Sequence, residues 1–372
     1  MSRQRVALIL PGGLDRASGR YIPVFESLIT ALAEHHEVVT YLTMQDAQPR
    51  EERVGGARVV SLASNRTLGP LAHALDARKD CLNKGFVPDL VHSFWLGSPT
   101  LTGYGLARAF RTPLIASVCG GELIHLPELA YGGLSGLRGR ARVRLSARVA
   151  NRYTAGSNFL LAGVREQLSA PASVLPLGID AGYWQQREPA GQAAQCNILY
   201  LASLNAVKQP SLMLAVAAQL KEQCLPFRIT CIGVDTLAGE MQRLAHDTGV
   251  SGQVEFLGYR DMDDIRLHME DQHFILQTSR FEAQGIAIME GVSQGLCPVG
   301  TRVGWLADQG VGLPPDSPGL AQGIANEIVR YWDDPALRHS RVQPLQTVVK
   351  AQNSKATATA LQEIYSGLSS NR

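Results

Sequence analysis

The chain has 372 residues, of which 45% are hydrophobic and 18% charged, with a formal net charge of +2. That length exceeds one ordinary core and implies two domains of similar size. The composition excludes a disordered or fibrous chain, and the mild charge excludes nucleic-acid binding by bulk electrostatics. Cys81, Cys119, Cys196, Cys224, Cys231 and Cys297 form no C-x-x-C pair, which argues against a metal knuckle or a disulfide scaffold and for reduced thiols.

The first segment, "MSRQRVALILPGG", has basic residues before an apolar run that stops at Pro11, too short for a signal-peptide core. It reads as a first strand. No later window approaches the roughly 18 apolar residues of a spanning helix, so a cytoplasmic location is expected, with contact to the inner membrane face left open. Short apolar runs then alternate with stretches of helical period: "VALIL", "EVVTYLT", "RVVSL", "DLVHSFW" and "PLIASV". His92, after "DLV", either faces a cleft or is a hydrogen-bonded structural residue.

In "RGRARVRLSARVANR", Arg140, Arg144, Arg148 and Arg152 recur at four-residue spacing and Arg138 and Arg142 add charge, predicting a cationic stripe along one helix. Three readings stay open: a solvated face, an anionic membrane surface, or a site for an acidic acceptor. Leu137, Val143, Leu145 and Val149 offer a modest apolar face, enough for weak membrane association at most. Residues 175–195, rich in Gly, Pro, Gln and Ala without apolar period, read as an interdomain linker.

A second βα series follows in "NILYLAS", "RITCIG", "QVEFLG", "HFILQT" and "LCPVGT". Near-continuous apolar strands with crossover helices imply parallel sheets covered on both faces, hence two doubly wound domains. The D-x-D of Asp261 and Asp263 opens a helix, where capping explains it better than metal binding. In "TSRFEAQGIAIMEGVSQGLCPVGT", Glu282 lies in a turn between strand and helix and Glu290 more than a turn into an apolar helix starting at Gly285. A helix start at the carboxyl end of a parallel strand offers N–H groups and partial positive charge to an anion. Near the C-terminus, Ala358, Leu361, Ile364 and Tyr365 make one apolar helix face that must dock.

The segment Ser279, Glu282, Gly285, Glu290 resembles the E-x7-E signature of glycosyltransferase family 4. "ILPGGLDRASGR", "DLVHSFW", "NRYTAGSNF", "LPLGID", "LASLNAVKQP" and "VEFLGYR" resemble further family segments in order. The resemblance implies a GT-B α/β fold: two Rossmann-like domains facing a cleft, with the C-terminal helix returning to the N-terminal domain. Residues 1–184 would bind the acceptor, 185–343 the nucleotide sugar, and 344–372 would form the returning helix.

It further implies a retaining, metal-independent hexosyltransferase that uses a UDP- or GDP-linked sugar and a hydroxyl acceptor and needs no cofactor. Glu282 would contact the donor sugar, Glu290 the ribose, and the backbone around Gln284, Gly285 and Ile286 the donor. Lys208 would neutralise the diphosphate, Gly12 and Gly13 form the first glycine loop, and Tyr259 and Arg260 meet the base. Catalysis would rest on Glu282 and Lys208.

Three departures stand out. Ser203 replaces the arginine that partners the lysine, which implies either weaker leaving-group stabilisation or a substitute cation such as Arg302. Cys119 stands where the family has histidine, with Gly120 and the acidic Glu122 after it, and reads as a packed thiol. "GWLAD", with Trp305 and Asp308, replaces G-G-x-P-E at the donor rim. The alternatives are a nucleotide-sugar-binding protein of decayed activity and a sugar epimerase or phosphorylase of the same fold.

Overall fold

A computed structural model describes residues 3–15, 20–44, 50–63 and 69–369, so part of the glycine-rich segment after β1, at 16–19, lies outside the described residues. The chain divides into two units, Met1–Asp180 with Gln352–Arg372, and Ala181–Ala351.

The first unit runs β1 (Arg5–Leu10), β2 (Leu14–Asp15), β3 (Arg20–Tyr21), α1 (Pro23–His35), β4 (Glu37–Leu42), β5 (Arg50–Val54), β6 (Ala57–Ser61), α2 (Pro70–Asn83), β7 (Leu90–Phe94), α3 (Ser98–Phe110), β8 (Leu114–Val118), α4 (Leu137–Ser146), β9 (Arg152–Ala155), α5 (Asn158–Val164) and β10 (Ala172–Val174). Its main sheet has the order β10-β9-β8-β7-β1-β4-β6-β5, with β2 and β3 as a separate pair. Every main-sheet pair is parallel except β5 with β6. Val6 to Leu10 are buried without interruption, as a strand covered on both faces requires.

The second unit runs β11 (Cys196–Leu201), α6 (Pro210–Glu222), β12 (Phe227–Ile232), α7 (Glu240–Asp247), β13 (Val254–Gly258), α8 (Met262–Met269), β14 (Phe274–Gln277), α9 (Ile286–Ser293), β15 (Cys297–Gly300), α10 (Trp305–Asp308), α11 (Leu320–Asp333) and α12 (Pro335–Ala351). Its five strands, all parallel, have the order β13-β12-β11-β14-β15. The order reverses between β11 and β14, and that switch leaves an open crevice at the carboxyl edge of the sheet.

The last helix, α13 (Ser354–Ser369), belongs to the first unit. It packs against α1, burying Ala358, Leu361 and Tyr365 on the face anticipated from the sequence.

Three boundaries differ from the sequence reading. A division at 343/344 would cut α12, which packs on α9 and β15 of the second unit; the chain returns to the first unit only at Gln352. Residues 181–184, assigned to the first domain, belong to the second unit. There the backbone carbonyl of Trp184 accepts from Ser293 Oγ at 2.7 Å and Arg187 N–H donates to Ser293 O at 3.0 Å, so the linker is fastened down. The arginine stripe is also shorter than its spacing suggests. α4 stops at Ser146, Arg148 lies in the following turn, and Arg152 begins β9, where the β-forming "RYTA" takes over.

Candidate active site

In the second unit, the loop after β11 and the loop after β14 meet at the switch point. Thr278 Oγ1 donates to the carbonyls of Lys208 (2.7 Å) and Gln209 (3.0 Å), and Tyr200 Oη reaches the Lys208 carbonyl at 3.0 Å. Asn205 accepts from the Lys208 N–H at 3.2 Å, closing the 3-10 turn Ala206–Lys208. Lys208 is therefore delivered to the sheet edge by a turn tied on both sides. Its Nζ pairs with Glu282 Oε1, which also accepts from Ser279 Oγ at 2.7 Å. The two side chains are 26% and 14% exposed, enough to meet a ligand without being dispersed in solvent.

Both open on a cavity of about 230 Å³, bordered also by Thr278, Ser279, Gly285 and Ile286. Gly285, the N-cap of α9, has φ of 99°, and a Cβ there would lie 3.2 Å from Gln277 Oε1. Glycine is required by conformation and brings the helix start to the cavity wall. The first N–H groups of α9, at Ile286 and Ala287, have no acceptor within the helix by position. A lysine ammonium and a helix N-terminus thus converge on one small cavity, an arrangement suited to a phosphate-bearing ligand.

The other candidates of this unit lie around that cavity rather than on its wall. Ser203 follows β11, half-buried. Beyond β13, Tyr259 is exposed and Arg260 half-buried, with Arg260 Nη1 donating to the Tyr259 carbonyl. The Gln284 side chain is buried against Met289 Sδ, so only its backbone can serve a ligand. Arg302 donates from Nε to the Gly312 carbonyl and is not on the wall. Trp305 is buried and its N–H meets the Gln284 carbonyl, which makes "GWLAD" a buttress of the Glu282 turn. Asp261 accepts from Asp264 N–H at 2.9 Å as the N-cap of α8. Among the described residues, no group of three or more His, Cys, Asp or Glu side chains is placed to hold a metal ion.

Glu290 is off the cavity wall too. Desolvation pushes its carboxyl up to about 8, offset in part by a hydrogen bond from the Trp184 side chain. Trp184 was not singled out from the sequence; its only signal was a large aromatic within a polar linker.

In the first unit the side chains of His92, Cys119 and Glu122 make contacts within the protein. His92, fully buried on β7, has Nδ1 at 2.8 Å from Tyr365 Oη and Nε2 at 2.8 Å from Ser117 Oγ. Burial lowers its pKa to about 3, so it is neutral and both ring nitrogens are occupied. His92 is thus hydrogen-bonded on both sides within the first unit. Cys119 packs its thiol toward the Ser117 carbonyl, and burial raises its pKa well above the usual thiol value. Glu122 is buried and accepts from the N–H groups of Leu96 (3.1 Å), Cys119 (3.1 Å) and Gly120 (2.6 Å), stapling the β7 and β8 loops. Desolvation raises its pKa, and those backbone donors oppose the rise. Gly13, after β1, has φ of 103° and accepts from Ile22 N–H, while Gly12 precedes it at the same strand end.

Trp95 was missed. It holds φ of 66° although it is not glycine, a conformation that costs on the order of 1–3 kcal/mol. Its N–H donates to Ser117 O, its carbonyl accepts from Thr100 Oγ1, and the next N–H is held by Glu122. Nothing in "HSFWLG" announces a left-handed tryptophan.

Two parallel-sheet Rossmann-like units define the GT-B class of fold. Solved structures agree: sucrose-phosphate synthase from Thermosynechococcus elongatus superposes with a TM-score of 0.79 at 18% identity, covering 100% of both chains. Anabaena HepE in complex with UDP and glucose gives 0.75 at 17% identity, covering 98% of this chain and 100% of that one. Sequence profiles described as "Glycosyl transferases group 1" and "Glycosyl transferase 4-like domain" match residues 185–311 and 21–178. The chain belongs to this group 1, glycosyltransferase 4-like family.

Among curated relatives, EpsF of Bacillus subtilis strain 168, named as a glycosyltransferase, is 27% identical over 152 residues, covering 38% of each chain. WcaL of Escherichia coli K12, named for colanic acid biosynthesis, is 24% identical over 187 residues, covering 45% of each. The matches thus span less than half the length of these relatives.

Proposed function

We propose that the protein is a retaining glycosyltransferase that moves a hexosyl unit from a UDP- or GDP-linked sugar to a hydroxyl acceptor in polysaccharide or glycolipid synthesis. The observation that carries this reading is the Lys208–Glu282 pair on a cavity whose wall includes the α9 N-terminus. Breaking the anomeric bond places negative charge on the departing diphosphate and positive charge on the sugar. Lys208 and the N–H groups of Ile286 and Ala287 meet the first charge, and Glu282 faces the second. Donor binding separates Lys208 from Glu282, exchanging a carboxylate partner for a phosphate one. Two cationic elements at the leaving group make a divalent metal unnecessary, and of the D-x-D, Asp261 caps α8 while Asp263 accepts from Tyr183 Oη.

Solved structures of similar fold include Anabaena HepE in complex with UDP-glucose and an Escherichia coli protein bound with UDP-2-fluoro glucose, which supports a nucleotide-sugar donor here. The names of WcaL and of WaaG, involved in lipopolysaccharide biosynthesis, support a glycan acceptor. The test is release of nucleoside diphosphate from UDP- and GDP-sugars, with and without chelator. Turnover that survives chelation and is lost in Lys208→Ala is expected. Turnover abolished by chelator and restored by magnesium or manganese would contradict the metal-free reading. No release from any donor would contradict the enzyme itself and favour a binding protein.

A further inference from the structure

Strand order assigns the helices of the first unit to sheet faces. The connection from β1 through α1 to β4 runs one way along the sheet, whereas those from β6 through α2 to β7, β7 through α3 to β8, and β8 through α4 to β9 run the other way. With right-handed crossovers, α2, α3 and α4 share the face opposite α1. Contacts agree, since α3 packs against both α2 and α4 while α13 packs on α1.

The outer side of this three-helix layer is unusual in two respects. Leu71, Leu75 and Leu82 form one stripe along α2 and are 59%, 54% and 53% exposed, and Tyr104 of the neighbouring α3 is exposed as well. On α4, Leu137 is 84% and Leu145 53% exposed. Scattered single leucines need no explanation, but six large apolar side chains on one layer do. The same layer is cationic, with Arg78, Arg108, Arg111, Arg138, Arg144 and Arg148 all exposed. α3 and α4 contain no acidic residue, and of the two in α2, Asp80 is bound to Arg58. In a chain of net charge only +2, this is a local excess of positive charge. Beside α4 lies a depression of about 360 Å³ with Arg144 and Arg148 on its wall, together with Glu166 and Ser169.

We propose that the outer face of α2, α3 and α4 is a docking surface for an anionic phospholipid bilayer. The leucines enter the headgroup region while the arginines meet lipid phosphates. Both features are needed: apolar contact alone would not select anionic lipid, and charge alone would not require exposed leucines in register along α2. The surface extends well beyond the arginine segment visible in the sequence, and it is independent of the donor-site reading.

The test is flotation of the full-length protein with vesicles of phosphatidylcholine, and of phosphatidylcholine mixed with phosphatidylglycerol. Partition into the anionic vesicles only, weakened as added salt shortens the Debye length, is expected. Arg144→Gln with Arg148→Gln should lower the partition coefficient about 30-fold. Leu71→Ser with Leu75→Ser should lower it roughly tenfold. All four residues are on the surface, so an unchanged melting temperature keeps the loss specific. Equal flotation with both vesicle types, no flotation, or wild-type partition in either double variant would overturn the proposal. A dimer in solution that the leucine changes dissociate would overturn it as well, by giving the face to a second copy.

Discussion

The second sheet and the first present the same kinds of residue in opposite conditions. On the second, Lys208 and Glu282 hold each other across a cavity and keep part of their surface open. On the first, His92 and Glu122 are buried with their hydrogen bonds made to the protein. A polar side chain at a sheet edge is thus available for ligand only when the fold has not already satisfied it. Sequence position shows the residue type, and geometry shows whether it is free to act.

The largest effect that sharpens this contrast is expected for Lys208→Ala. Removing the cation at the leaving group should lower kcat by about 10²–10³-fold with little change in melting temperature. His92→Ala should do the reverse, destabilising by about 3 kcal/mol by leaving Tyr365 and Ser117 unpaired beside a cavity, while the folded fraction keeps its kcat/KM. Lost turnover in His92→Ala at unchanged stability would break the comparison.

Glu290 gives a smaller effect with a defined pH window. Its folded pKa, about 8, is raised above the ordinary 4.5, so the folded state holds a proton that the unfolded state has released between those values. Its contribution to stability is full below pH 4.5 and is lost as pH rises toward about 8. Glu290→Gln should therefore flatten the fall of melting temperature with pH across that window. A slope identical to wild type would show that the carboxyl is ionised in the folded protein. The smallest change is expected for Cys119→Ser, less than about 1.5 kcal/mol in stability and no shift in the pH profile of turnover.

Much of this was legible beforehand because buried parallel strands are written as uninterrupted apolar runs. The runs at "VALIL" and "HFILQT" became β1 and β14, and Gly285 marked the start of α9. What stayed hidden has physical reasons. β9 and β10, four and three residues long, are too short for a periodic signal. The end of α4 is set by the strand that follows, which four-residue arginine spacing cannot report. Trp95 and Trp184 depend on tertiary hydrogen bonds that no local pattern encodes.

The most direct measurement of the central claim is a thermal-shift panel of UDP-, GDP-, ADP- and TDP-sugars on the wild type and Lys208→Ala. Ligand held by the folded state at about 100 times its Kd stabilises by about 2.7 kcal/mol. A rise in melting temperature with one nucleotide series, strongly reduced in Lys208→Ala, is predicted. A rise of equal size in both proteins, or none with any donor, would contradict the assignment of the second-unit cavity as the donor site.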